Sequence, residues 1–140
     1  MSAAVEMLKR QFGQARVARL ASTDESARPH LVPVVFALSD DVVVFAVDHK
    51  PKTTARLKRI RNIQANSQVS LLVDGYDDTD WTKLWWIRVD GTARVVTAGA
   101  DHEKAVSWLC EKYPQYRDIP PTGQVVWIEI TAVKGWSYQA

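Results

Sequence analysis

The chain has 140 residues, of which 46% are hydrophobic and 24% charged, a size and balance that fit one globular domain over residues 1–140 and argue against disorder. Eighteen Lys and Arg against sixteen Asp and Glu leave a formal charge of +2, small for a protein that coats a nucleic-acid backbone. No apolar run approaches the roughly eighteen residues of a membrane span, and Glu6, Lys9 and Arg10 break up the N-terminus where an export signal needs an apolar core, so a cytoplasmic protein is expected.

Val5, Leu8 and Phe12 recur at helical spacing and predict a short amphipathic helix over Ala3 to Phe12, closed at Gly13. From Ala15 to Ala21 the pattern switches to a strand, with Val17 and Arg19 on one face and Ala18 and Leu20 on the other, and Ser22 to Ser26 forms a turn. Pro29 to Leu38 and Val42 to Val47 read as two strands joined by Ser39-Asp40-Asp41. Two prolines in the first of these point to an edge or bulged position, since neither supplies the N–H that a central ladder needs. Thr53 or Thr54 can cap a helix running through Leu57, Ile60 and Ile63 to Ala65-Asn66, and Val69 to Val73 is again a strand.

Asp74 to Asp80 is an acidic turn. Leu84 to Val96 reads as one long strand except at Asp90-Gly91, which signals either a hairpin or a bulge. Asp101 can cap a helix reaching Tyr113; Pro114, Pro120 and Pro121 stiffen a loop; and Gln124 to Ser137 closes the chain as a strand. Strands linked directly by short turns favour an antiparallel sheet or small barrel over a doubly wound parallel sheet. No glycine-rich dinucleotide or P-loop phosphate motif is present.

The most informative chemistry is a local charge imbalance. No acidic residue falls between Asp48 and Asp74, whereas six of the eighteen Lys and Arg lie between Lys50 and Arg61. These charges gather where Pro51-Lys52-Thr53-Thr54 leads into a helix, where backbone N–H groups and cations can meet one phosphate. Lys52, Arg56 and Arg59 would share a direction if the helix began at Lys52; Lys58, Arg59 and Arg61 read equally well as a solvated face. A small phosphorylated ligand is expected, and the acidic loop Asp74 to Asp80 weighs against nucleic acid.

Other candidates are weaker. A lone His30 beside Pro29 reads as structural or exposed, and the aspartates of the acidic loop lack the spacing of a calcium loop. The single Cys110 follows an apolar helical run and reads as a buried structural thiol, and with three scattered histidines no metal site is expected. Trp81, Trp85 and Trp86 cluster within six positions, and on a strand Trp85 and Trp86 must face opposite sides. No nucleophile–base pair or paired carboxylates can be assigned, so no catalytic side chain is named and any chemistry is expected from a bound cofactor.

Taken in order, Ala18-Arg19-Leu20-Ala21-Ser22, Arg28 to Val34, His49-Lys50-Pro51-Lys52 with Leu57 and Arg61-Asn62-Ile63, Val69 to Asp74, Leu84 to Arg88 and Gly91 to Val95 resemble the pyridoxamine 5′-phosphate oxidase-like split-barrel proteins that bind FMN or coenzyme F420, and among them the F420-dependent branch. The resemblance implies a mainly β fold, a six-stranded antiparallel Greek-key barrel with flanking helices, paired as a homodimer with cofactor sites at the subunit interface. It favours a bulge at Asp90-Gly91. It places Lys50, Lys52 and Arg56 on the cofactor phosphate, with His49 and Thr53 beside them, and Val32, Pro33 and Val34 against the ring through backbone groups. Tyr76, Trp81, Trp86 and Arg88 would close the site from the partner subunit. Family members often carry Asn-Pro after the basic helix where this chain has Asn66-Ser67, which leaves the choice of cofactor open.

The expected function is therefore F420-dependent hydride transfer with a conjugated organic substrate. The alternatives are an FMN-dependent enzyme of the same fold and a protein that binds a flavin-type cofactor without turnover.

Overall fold

The computed structural model describes residues 2–47 and 54–138, and of residues 54–57 the backbone alone. In chain order the elements are α1 (Ala3–Gln14), β1 (Ala18–Thr23), β2 (Pro29–Val34), β3 (Ala37–Ser39), β4 (Val42–Ala46), α2 (Thr54–Ala65), β5 (Gln68–Gly75), a single 3₁₀ turn (Trp81–Lys83), β6 (Trp85–Val96), α3 (Ala100–Lys112), α4 (Pro114–Asp118) and β7 (Val125–Ser137).

All seven strands belong to one antiparallel sheet in the order β2-β1-β5-β6-β7-β4-β3. The two edge strands, β2 and β3, are separated in sequence only by Val35 and Phe36. A sheet whose opposite edges are joined by two residues must curl until those edges approach, and this produces a barrel split between β2 and β3. The count is seven strands rather than the expected six, because the segment Pro29 to Leu38 is broken rather than continuous. At the break, the Phe36 N–H donates to the Tyr113 hydroxyl at 3.1 Å, so a side chain from the end of α3 takes a backbone group that a ladder would otherwise use.

Period-two alternation places the inward residues in the barrel core: Ala18 and Leu20 of β1, Val69, Leu71 and Val73 of β5, Ile87 and Val89 of β6, Val126 and Ile128 of β7. Phe12 of α1 plugs this core, its ring 4.8 Å from that of Phe36, and Ile60 and Ile63 of α2 join the same cluster. A second cluster forms outside the barrel, where Ala105 and Leu109 of α3 pack on Val44, Val125 and Trp127.

Asp90-Gly91 is a bulge and not a hairpin. The β6–β7 register shifts between Asp90, opposite Ala132, and Gly91, opposite Ile130, so Thr131 is the extra residue and lies on β7. A Cβ on Gly91 would stand 2.6 Å from the Glu129 carbonyl oxygen, which explains the glycine there.

Local chemistry departs from the sequence expectation at four further places. β1 runs from Ala18 to Thr23, and the turn starts at Asp24, whose carboxylate accepts the N–H groups of Ser26 and Arg28 at 2.9 Å. Gly99, not Asp101, is the N-cap of α3; Asp101 instead meets Arg94 at 2.7 Å. Pro114 opens a short helix at a position that needs no N–H, rather than a loop. Cys110 is only partly buried, its thiol directed at the Tyr116 carbonyl at 3.3 Å.

Candidate functional site

The helices pack against the barrel ends and one flank. Leu8 of α1 sits over Gly135, α2 contributes Ile60 and Ile63 to the barrel core, and α3 covers the β3-β4-β7 flank. The remaining outer face, formed by β2, β1, β5, β6 and the C-terminal half of β7, keeps large apolar side chains in solvent: Leu31 is 70% exposed, Trp136 45% and Leu72 39%. An uncovered apolar face of this kind marks an interaction or ligand surface.

Strand register arranges this face in rows. Pro33, Arg19, Leu72, Arg88 and Lys134 lie side by side across five strands. On one side of that row runs Leu31, Ala21, Ser70, Asp90 and Ala132, and on the other Asp74, Trp86 and Trp136. An open groove of about 540 Å³ lies over the row containing Asp90, bordered by Ala21, Thr23, Pro29, Ser70, Arg88 and Asp90. Within it the Asp90 carboxylate accepts the Ser70 hydroxyl at 2.6 Å and stands 3.1 Å from Arg88 Nε as an ion pair, although the buried Nε–H makes no hydrogen bond among the described residues.

The residues expected at the site divide into four groups. Trp86 and Arg88 are on this face, on β6. Val32 and Val34 direct their side chains into the barrel while Pro33 is exposed, so only Pro33 and the strand backbone are available from β2; its position at the sheet edge agrees with the two prolines. Tyr76 and Trp81 are exposed in the acidic loop beyond β5, where the Tyr76 hydroxyl donates to Asp78 at 2.8 Å. His49, Lys50, Lys52 and Thr53 lie outside the described residues, as does the side chain of Arg56.

The acidic loop is built by its own aspartates. Asp77 accepts the N–H and hydroxyl of Thr79 and the N–H of Asp80, and these bonds, led by the Thr79 hydroxyl, hold its carboxyl below the usual range. Asp80 caps the 3₁₀ turn through the Thr82 N–H at 3.1 Å. These acids shape a turn. At the other end of the face, Asp24 is likewise held low, first by the Arg28 N–H and then by that of Ser26, with the charges of Arg28 and Lys58 adding to both. His30 Nε2 stands 3.9 Å from Asp24 and has no hydrogen-bond partner among the described residues.

Sequence reasoning missed Leu31, Leu72, Lys134 and Trp136. Alternation alone places each on an outward face, but only the register brings them beside Arg88. After α2, the turn at Asn66-Ser67 forms without a proline: Asn66 donates its side-chain amide to Thr23 at 2.8 Å, and the Ser67 carbonyl accepts the Ala93 N–H.

A family model for pyridoxamine 5′-phosphate oxidase matches residues 4–137. The chain belongs to that family. Among solved structures, a conserved hypothetical protein, Rv2991, of Mycobacterium tuberculosis is similar with a TM-score of 0.74 at 19% identity, over 99% of this chain and 86% of that one. A FAD-binding protein of Mesorhizobium loti is similar at 0.67 and 23% identity, over 96% and 94%. HutZ, a heme storage protein of Vibrio cholerae, is similar at 0.69 and 17% identity, over 95% and 94%. At these identities the likeness carries the fold, not the ligand. No curated protein sequence matches. No helix among the described residues is long and apolar enough to cross a membrane.

Proposed function

We propose that the protein is a homodimer that binds coenzyme F420 between its two copies and catalyses hydride transfer with a conjugated organic substrate. The observation that carries this reading is the uncovered outer face. It combines exposed apolar and aromatic side chains, a row of cations and an edge strand with one side unpaired, on a chain whose family works with a flat, phosphorylated cofactor.

The described residues fit such a group. β2 offers backbone hydrogen bonding along its free edge, the exposed Leu31 and Leu72 offer an apolar bed, and Trp86 and Arg88 of β6 stand farther across the same face, where a substrate would meet the ring. When bound, the deazaflavin supplies the two-electron chemistry. The chain's own residues bind and orient, and a second copy laid on the same face would exclude water. Lys50, Lys52 and Arg56 are assigned to the phosphate. Lys58, Arg59 and the exposed Arg61 of α2 are assigned to a longer anionic tail, which favours F420 over FMN.

FMN is the second reading. The family description and the FAD-binding Mesorhizobium protein favour a flavin, and either cofactor could also be held without turnover. Quenching of tryptophan fluorescence, titrated in parallel with F420 and FMN, tests the assignment. Tight F420 binding with weaker FMN binding is expected; FMN bound tightly with no F420 binding would overturn it. Sedimentation of the purified protein as a monomer would remove the homodimer.

A further inference from the structure

Arg88 and Lys134 are directly opposed residues of an antiparallel pair, both on the outer face. Like charges in that relation repel and destabilise the strand pair. Arg19 lies in the same row, one strand beyond Leu72. Against these three cations the same face sets two carboxylates: Asp90, which stands 3.1 Å from Arg88 Nε as an ion pair and is shared with Ser70, and Asp74, in the row of Trp86, which makes no ion pair among the described residues. Neither Lys134 nor Arg19 has an ion-pair partner among the described residues. An arrangement that costs stability in the empty protein is explained by an anion received from outside.

The next row supplies the other half of a ligand site. Trp86 is two residues from Arg88 and Trp136 two residues from Lys134, and Trp86 and Trp136 are themselves opposed. At the rise of an extended chain the aromatic pair and the cation pair are about 7 Å apart. Trp136 remains 45% exposed, edge-on to Tyr138 with ring centroids 6.4 Å apart. An indole pair beside a guanidinium and an ammonium suits a flat conjugated body with a carboxylate at one end.

We propose that Arg88 and Lys134 form the carboxylate-binding part of the substrate site, and that Trp86 and Trp136 receive the conjugated body, so that the substrate is a planar aromatic or polyenyl carboxylate. This rests on the reading above, in which the outer face is the reaction site, and it names the substrate class. Arg88 would grip the carboxylate with its terminal nitrogens, since Asp90 occupies the Nε side; Lys134 adds a point charge.

The test uses the full-length protein without cofactor, with 2-naphthoate and its neutral isostere 2-naphthamide as probes of tryptophan quenching. Naphthoate is expected to bind about tenfold more tightly than naphthamide, and Lys134→Gln and Arg88→Gln each to abolish most of that difference while leaving naphthamide binding unchanged. Lys134→Glu, which replaces a repelling pair with an attracting one, should raise the thermal midpoint and abolish naphthoate selectivity. Equal binding of the two probes, or naphthoate binding that survives all three substitutions, overturns the proposal. So does strict competition between naphthoate and the cofactor, which would give the cations to the cofactor. So does a loss of dimer in the variants without loss of selectivity, which would give the cations to the subunit contact. Parallel titration with F420 and FMN keeps the outcomes separate, because selective naphthoate binding by a protein that takes neither cofactor removes the cofactor reading alone.

Discussion

The Tyr113 hydroxyl holds both backbone groups of Phe36: it accepts the Phe36 N–H at 3.1 Å, and its own proton lies within reach of the carbonyls of Phe36 at 3.0 Å and Arg16 at 2.8 Å. This one side chain closes the gap between β2 and β3, where the sheet's two edges meet without a ladder. Tyr113→Phe keeps the ring and its edge contact with Tyr116, and leaves the part-buried Phe36 N–H without an acceptor. A loss of about 1 to 3 kcal/mol in urea unfolding is expected. A variant as stable as the parent would show that the break is held by packing alone.

Gly91 carries the bulge on which the long β6–β7 pair depends. A methyl group there would press on the Glu129 backbone at 2.6 Å and on the Ile128 side chain at 2.5 Å, and the backbone contact has no rotamer by which to escape. Gly91→Ala should cost about 1 to 3 kcal/mol, read from the shift in urea midpoint. Thr131→Ala, which loses only the exposed hydroxyl bond to the Asp90 carbonyl, serves as the mild control.

These two residues also show what the sequence could and could not reveal. Gly91 was legible as an irregularity in a long strand, because glycine amid alternating Val, Ile and Ala is a local signal, although only the register of β7 separates bulge from hairpin. The break after Val34 was not legible, since its cause, Tyr113, lies 77 residues from Phe36. Likewise the helix from Ala3 and the edge position of Pro29 and Pro33 follow from local spacing. Asp101 carried the signal of a helix cap yet pairs with Arg94, a partner supplied by the neighbouring strand. The candidate site divides in the same way: the basic segment from Lys50 stands out by composition, whereas the row joining Arg19, Arg88 and Lys134 exists only once four strands are in register.

Lys112 gives a pH signature. Its ammonium is half-buried above the Phe36 ring at 3.8 Å and donates to the Ala15 carbonyl at 2.6 Å; burial first, and the charge of Arg16 second, lower its pKa from 10.5 to about 8. The cost of holding the charged amine is fully present below pH 8. Between about pH 8 and 10 the unfolded lysine keeps its proton while the folded one loses it, so stability rises with pH. Above pH 10 the trend is opposed by Tyr113, whose pKa burial raises, because the unfolded tyrosine ionises first. Urea unfolding at intervals from pH 7 to 10 should show this rise in the parent protein and a flatter profile in Lys112→Met. A parent profile falling through that window would contradict the assignment.

The basic segment is tested by separating its two assigned parts. If Lys52 meets the phosphate common to F420 and FMN, as proposed, Lys52→Ala should weaken both, by about tenfold to a hundredfold for one charge-assisted contact of roughly 1.5 to 3 kcal/mol. Arg61 is exposed on α2 and is assigned to the tail that F420 has and FMN lacks. Arg61→Ser should therefore weaken F420 while leaving FMN binding within about twofold, since a solvated cation contributes little beyond its own contact. Arg61→Ser should not move the thermal midpoint by more than a degree or two, because a surface change away from packed contacts costs little, and Lys52→Ala is expected to leave it equally unmoved if the lysine serves the phosphate alone. A large fall in the midpoint of Lys52→Ala would make that lysine structural. Equal weakening of both cofactors by Arg61→Ser would place Arg61 at the phosphate and remove the reason for preferring the longer cofactor.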